Sequence, residues 1–455
     1  MNENQFQERI IVKKASPLKG TIRIHGAKNA VLPIIAASIL GKSEPSFIDD
    51  VPDLEDVRIL CDAIRHLGGK VEYDSETLKI DTTSLHTTEP PKQLVQQMRA
   101  SFLLMGSLLA RTGHVKIYLP GGCAIGARPI DQHLKGFQAL GAKIIITEEY
   151  VEAFVKERLQ GAIIYLDTPS VGATENIMMA ACLAKGTTIL ENAAQEPEIV
   201  DLANYLNSMG ANIKGAGTNL IRIEGVEELY GTRHTVIPDR IETGTFLTVA
   251  AITQSELYLK GAMGNHLRAV ISKLSEAGVH ITEDDDGIFV SALQPLKPLQ
   301  IKTLPYPGFP TDMQAQFVTM LAAASGTSYV SETVFENRYM HCTELQKMGA
   351  NIIVDGRHAT VIGGQPLQGA QVRMTDLRAG AAMIMAGLIA EGTTEITQLH
   401  HIDRGYVDIV GKLKNVGAEI HRMKPVESIP VQVLEQEEET ITESITTRIL
   451  RPTFV

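Results

Sequence analysis

The sequence predicts an α/β protein in which one mixed strand and helix unit is copied six times and grouped into two pseudo-symmetric domains of three units each. Three observations lead there. A chain of 455 residues exceeds what one ordinary core holds and favours two or three domains. A short phrase recurs as HLGGKVEY, ALGAKIII, SMGANIKG, EAGVHITE, KMGANIIV and NVGAEIHR, aligned on Gly68, Gly141, Gly210, Gly278, Gly349 and Gly417. Around each of these glycines the apolar spacing changes from a helical period to an alternating one.

Within a unit the strand comes first, as in GTTILEN and GTTEITQL, which open on Gly and carry β-branched residues. A helix follows, with Val57, Leu60, Cys61, Ile64 and Leu67 on one face of the first copy and Leu202, Tyr205, Leu206 and Met209 on one face of the third. The aligned Gly supplies the left-handed residue that ends the helix. Alternating runs such as KVEY and NIKG then read as strands. A single solenoid of six units is the alternative, but solenoid repeats usually run to about 20–50 residues and these are longer. The stretch from Ala379 to Ala390 is broken by Gly, bounded by charge and too short for a membrane span, so a buried helix is expected there. The tail over residues 431–455, containing EQEEETITE, is acidic and lies outside the sixth unit.

Composition narrows the function. The net charge of −11 argues against general binding to nucleic acid or a membrane surface, while leaving room for a local basic pocket. The four cysteines lack CxxC spacing, which disfavours a zinc site or a disulfide framework. The opening MNENQFQERIIVKK has no apolar core of a secretory signal, and a reducing cytoplasm is the expected compartment.

Unusual residues fall in the loops ahead of the helices. In PGGCAIGARP, Cys123 sits among glycines five residues before Arg128, where a cation and a helix start lower a thiol pKa. Cys61 and Cys182 lie in apolar runs and read as structural, and Cys342 as packed. Lys28, Arg99, Arg128, Arg338 and Arg404 occupy turns or helix starts beside small residues, a setting that suits a multiply charged anion such as a phosphorylated substrate. Asp312 in FPTDMQAQF and Asp376 in MTDLRAGAAM each begin an apolar helical stretch, so each reads as a helix cap or, for Asp312, equally as a general base. Asp376 and Arg378 read as at least partly structural. The Lys-Ser or Lys-Thr that would complete a nucleotide P-loop is missing.

Together HGAKNAVLPI, MRAS, PGGCAIGARPID, SVGAT, ENAAQEPEIVDLANYL, PDRIETGTF, FPTDMQAQF, SETVFENR, DLRAGAA and HIDRGY resemble the UDP-N-acetylglucosamine 1-carboxyvinyltransferases, from about Ile11 to Arg422. The resemblance implies two inside-out α/β domains of three repeats, joined by a double crossover, with the active site in the cleft between them. It implies one domain over 1–27 and 237–430 and another over 28–236. It also implies enolpyruvyl transfer from phosphoenolpyruvate to the 3-hydroxyl of UDP-N-acetylglucosamine, the first committed step of peptidoglycan synthesis.

Residue by residue, the resemblance implies that Lys28, Asn29, Arg128 and Arg404 bind phosphoenolpyruvate, that Cys123 donates a proton, and that Asp312 is the base. Arg99, Arg128, Pro129, Ile130, Asp131, Gln132, His133, Ser170, Val171, Gly172, Asp312 and Val334 fall where the family holds the UDP-sugar. Arg338, Asp376 and Arg378 are supporting charges. Alkylation of Cys123 by fosfomycin is implied as well. No metal or cofactor, no nucleic-acid or membrane partner and a monomeric state are expected. His25, Ser107 and His400 depart from the common pattern without touching a proposed reacting group. The shikimate-pathway enolpyruvyl transferases are the nearest enzymatic rival. A non-catalytic copy that senses UDP-N-acetylglucosamine is the alternative from another class.

Overall fold

The structure is a computed structural model that describes residues 8–119 and 130–424. Its strands form six small sheets with one recurring plan. Thr187–Glu191 pairs in parallel with Ile163–Tyr165 and antiparallel with Leu220–Glu224, whose other neighbour is Asn212–Lys214. The same order of parallel edge, central strand and two antiparallel strands surrounds Ser46–Asp49, Glu256–Lys260, Gly326–Ser331 and Thr393–Thr397. The sheet around His114–Tyr118 has three strands among the described residues.

Strands distant in sequence close each set of three units. Arg233–Thr235, at the end of the third unit, is the parallel edge beside Ser46–Asp49 in the first. Lys19–Arg23 plays that part beside Glu256–Lys260, and Arg9–Lys13 fills the place between Thr393–Thr397 and Ile420–Met423. Ile10 and Val12 on that strand are fully buried, so the N-terminal segment is bound into the sixth unit by core packing.

The longer helices are of two kinds. Lys28–Ala37, Leu104–Thr112 and Val171–Cys182 lie inside one half of the molecule, and Arg240–Ile252, Gln314–Ala323 and Leu377–Ile389 lie inside the other. These are apolar on nearly all sides and buried to match, every residue from Ile241 to Ile252 among them. The expected buried helix at Ala379–Ala390 is Leu377–Ile389. Six further helices are amphipathic covers, each followed by one of the six aligned glycines at φ between +90° and +108°, and the short helix Lys92–Gln97 stands apart from both sets. In all six the residue after the Gly donates its N–H to the carbonyl five residues back, as from Gly69 to Ile64 and from Ala350 to Leu345. Sheets lie outside the inner helices, which leaves side chains such as Ile146, Ile163 and Ile353 exposed on their outer faces.

Buried apolar residues separate into two cores. One runs over Ile10–Ile24 and Ile241–Ile420, the other over Ala27–Val236. The chain therefore crosses between them twice, near Ala27 and near Asp239. The two crossing segments hydrogen-bond to each other, Ala27 N–H to Ile237 O at 2.7 Å and Asp239 N–H to His25 O at 2.8 Å. Gly26 allows this approach, because a Cβ there would lie 2.0 Å from the Asp50 carbonyl oxygen. Among the described residues no helix is long and apolar enough to cross a membrane.

Candidate active site

The inner helices Lys28–Ala37 and Arg240–Ile252 begin at the seam between the two cores, and the starts of the inner helices carry many of the residues singled out in the sequence. Lys28 opens one helix and Ser170 caps another, accepting from Ala173 N–H at 3.3 Å. Asp376 caps a third through Arg378 N–H and Ala379 N–H. Asp312 lies in the short turn Thr311–Met313 ahead of Gln314–Ala323, and its carboxylate accepts side-chain hydrogen bonds. Of the two acids that looked alike in sequence, one is tied to backbone and the other to cations. Helix starts concentrate free N–H groups and positive potential, which favours an anion at the seam.

Two carboxylates organise the cations. Asp56, 2% exposed in the first turn of Glu55–Leu67, accepts from Lys28 Nζ at 2.6 Å and from Arg404 Nε at 2.8 Å. Burial alone would raise the pKa of Asp56, but Lys28 and Arg404 outweigh it and hold the carboxyl below its ordinary value. Burial depresses the Lys28 ammonium pKa, partly countered by Asp56 and reinforced by the nearby charges of Arg378 and Arg404. Asp312 accepts from Arg338 Nη2 at 2.9 Å and from Arg378 Nη2 at 3.1 Å. In each cluster two cations meet one acid, a setting that suits a bound anion. Among the described residues no cluster of His, Cys, Asp or Glu could hold a metal ion.

A second group forms where Asp131–Ala139 meets Val171–Cys182. Gln132 donates to Asp167 Oδ2 at 3.0 Å and accepts from Asp167 N–H at 2.9 Å, tying the start of Asp131–Ala139 to the loop before Ser170. His133 faces Gly172 so closely that a Cβ on Gly172 would lie 3.2 Å from its Cε1. Burial, helped by the charge of Arg99, pushes the His133 pKa down to about 4, so the ring is neutral near pH 7. Ile130 packs on the core below, Asp131 is exposed in the first turn, Val171 is half-buried at its helix start, and Arg99 is half-buried at the start of Arg99–Leu103. Asn29 is exposed beside Lys28. Val334 lies across the seam in a turn held by Glu332, whose Oε1 accepts from Val334 N–H while its Oε2 accepts from Thr311 Oγ1, next to Asp312.

Cys123, Arg128, Pro129 and the 431–455 tail lie outside the described residues. Burial lifts the thiols of Cys61, Cys182 and Cys342 to about 12, as suits packed, unreactive groups. Sequence reasoning passed over Asp56, Asp239, Arg240 and Glu198. Asp239 caps Arg240–Ile252 and also accepts from Lys28 N–H at 3.3 Å, while Arg240 reaches across the seam to Glu198 at 2.9 Å. Asp56 in LEDVRIL and Asp239 in PDRIETGTF stand at helix starts, a signal that was available but is shared with ordinary caps.

Comparison with known proteins gives the family. The family model described as EPSP synthase (3-phosphoshikimate 1-carboxyvinyltransferase) matches residues 12–413. The chain is 57% identical over 420 residues to UDP-N-acetylglucosamine 1-carboxyvinyltransferase 1 of Halalkalibacterium halodurans, covering 92% of this chain and 96% of that one. It is 58% identical over 417 residues to the protein of the same name from Caldanaerobacter subterraneus, covering 92% and 100%. Among solved structures, the enolpyruvyl transferase NikO from Streptomyces tendae superposes with a TM-score of 0.83 at 26% identity, covering 92% of this chain and 99% of that one. EPSP synthase from Acinetobacter baumannii shares the fold at a TM-score of 0.72 and 17% identity, covering 92% and 100%. The two α/β domains thus have the fold of the enolpyruvyl transferases. Within that class, the chain belongs to the UDP-N-acetylglucosamine 1-carboxyvinyltransferase family.

Proposed function

We propose that the protein transfers the enolpyruvyl group of phosphoenolpyruvate to the 3-hydroxyl of UDP-N-acetylglucosamine, releasing phosphate, as the first committed step of peptidoglycan synthesis. The observation that carries this reading is identity of 57–58% to the named transferases over 92% of the chain. The pairs of cations gathered at Asp56 and Asp312 support it, since phosphoenolpyruvate brings a carboxylate and a phosphate.

The sugar oxygen attacks C2 of phosphoenolpyruvate while C3 gains a proton. The resulting tetrahedral adduct loses that proton equivalent and phosphate, leaving the enol ether. Asp312, with 27% of its side chain exposed, takes the hydroxyl proton, and Cys123 delivers one to C3. Lys28, Asn29, Arg128 and Arg404 bind the carboxylate and phosphate and stabilise charge as the phosphate departs. Arg338 and Arg378 keep Asp312 in place, and Asp376 fixes the helix that carries Arg378. Arg99, the segment from Arg128 to His133, Ser170, Val171, Gly172 and Val334 hold the nucleotide-sugar. The domains run over 1–27 with 237–430 and over 28–236. The protein acts as a cytoplasmic monomer, and Cys123 is the thiol that fosfomycin alkylates.

Proton NMR of the reaction mixture tests the assignment. Vinyl protons of an ether on the sugar's 3-oxygen are expected, and are lost with Cys123→Ala. Unchanged phosphoenolpyruvate and sugar with folded protein would instead favour a protein that only binds the nucleotide.

A further inference from the structure

Asn176 lies fully buried on the inner helix Val171–Cys182, two turns below the helix start at Ser170. Its amide orientation is fixed by backbone groups that have no choice of role. The N–H of Gly106 can only donate, and it meets Asn176 Oδ1 at 2.8 Å. The carbonyl of Phe102 can only accept, and it takes a hydrogen from Asn176 Nδ2 at 3.1 Å. The helix Leu104–Thr112 comes this near because residue 106 is Gly; a Cβ there would lie 2.3 Å from the Asn176 carbonyl oxygen.

The remaining hydrogen on Nδ2 faces His133 Nδ1 at 2.9 Å. An N–H on Nδ1 would set two hydrogens against each other, so Nδ1 must be the acceptor and the ring proton must sit on Nε2. The ring is further held by an edge contact with Phe102, with centroids 5.2 Å apart and planes at 88°. Its Cε1 and Nε2 edge then faces Gly172.

We infer that Asn176 is a positioning residue for the nucleotide-sugar: it holds His133 as the Nε2–H tautomer, so that the ring offers a hydrogen-bond donor to an acceptor oxygen of the UDP group. This rests on the reading of His133 as a UDP-sugar contact. Asn176 itself touches no substrate. Its amide selects which ring nitrogen donates, a choice that imidazole in water leaves open.

The test uses the full-length protein labelled with nitrogen-15 at histidine, with His133→Ala to assign the His133 signals. At pH 7 the expected spectrum shows a neutral ring protonated on Nε2. Asn176→Asp keeps an acceptor for Gly106 N–H but also offers one to Nδ1, drawing the proton there. In that variant KM for UDP-N-acetylglucosamine should rise about tenfold, the loss of one good hydrogen bond, with KM for phosphoenolpyruvate unchanged. A wild-type ring protonated on Nδ1, or on both nitrogens, would overturn the inference whether or not the variant folds. If His133→Ala left KM for the nucleotide-sugar unchanged, the reading of His133 as a contact would fail instead, whatever the tautomer.

Discussion

At Asp56 one buried carboxylate serves an ammonium from its own half of the molecule and a guanidinium from the other. Removing one member of a buried ion pair leaves a desolvated charge without compensation, typically at a cost of about 3 kcal/mol or more. Asp56→Ala should therefore lower unfolding stability by roughly 3 kcal/mol in urea titration. A loss within about 0.5 kcal/mol, as for an ordinary surface change, would mean that the Lys28 pair is not formed. The sequence made Lys28 and Arg404 visible because each stands beside small residues in a turn or at a helix start, and Asp312 because it opens an apolar helical stretch. Asp56 stayed hidden: its contact with Arg404 joins positions 348 residues apart, and nothing local distinguishes it from the acidic first turn of any helix.

The six glycine-ended helices were legible because a left-handed C-terminal residue is a local demand met by a local residue type. Their surroundings differ, which gives a test. A Cβ on Gly349 would meet nothing within 4 Å, whereas one on Gly68 would lie 2.3 Å from His86 Nδ1 and 2.6 Å from Ser84 O. Gly349→Ala should cost about 1 kcal/mol for the backbone conformation alone, and Gly68→Ala distinctly more. Equal losses in denaturant titration would contradict that difference. The strand Arg9–Lys13 shows what sequence could not supply. Its partners lie near residues 395 and 421, and pairing at that separation is settled only by the assembled core.

Across the whole molecule the seam holds more charge than ligand binding requires. Glu175 is buried on an inner helix near Glu196 and Glu198, and Arg240 crosses from the other half to Glu198. Burial, with the neighbouring carboxylates, holds the Glu175 pKa well above its ordinary value of 4.5. An acid raised on folding contributes its stability below the unfolded value and loses it as pH rises towards the folded one. Glu175→Gln, which keeps the shape of the protonated acid, should therefore raise Tm over wild type by a margin that grows from pH 5 to pH 8. A constant margin would show that Glu175 titrates no differently in the folded protein.

The central claim is transfer between two substrates at this seam, and phosphate release from phosphoenolpyruvate by purified protein tests it most directly. Release that requires UDP-N-acetylglucosamine and is lost in Cys123→Ala is the predicted result. Absence of release from folded wild-type protein with both substrates present, or release at the same rate without the sugar, would contradict it.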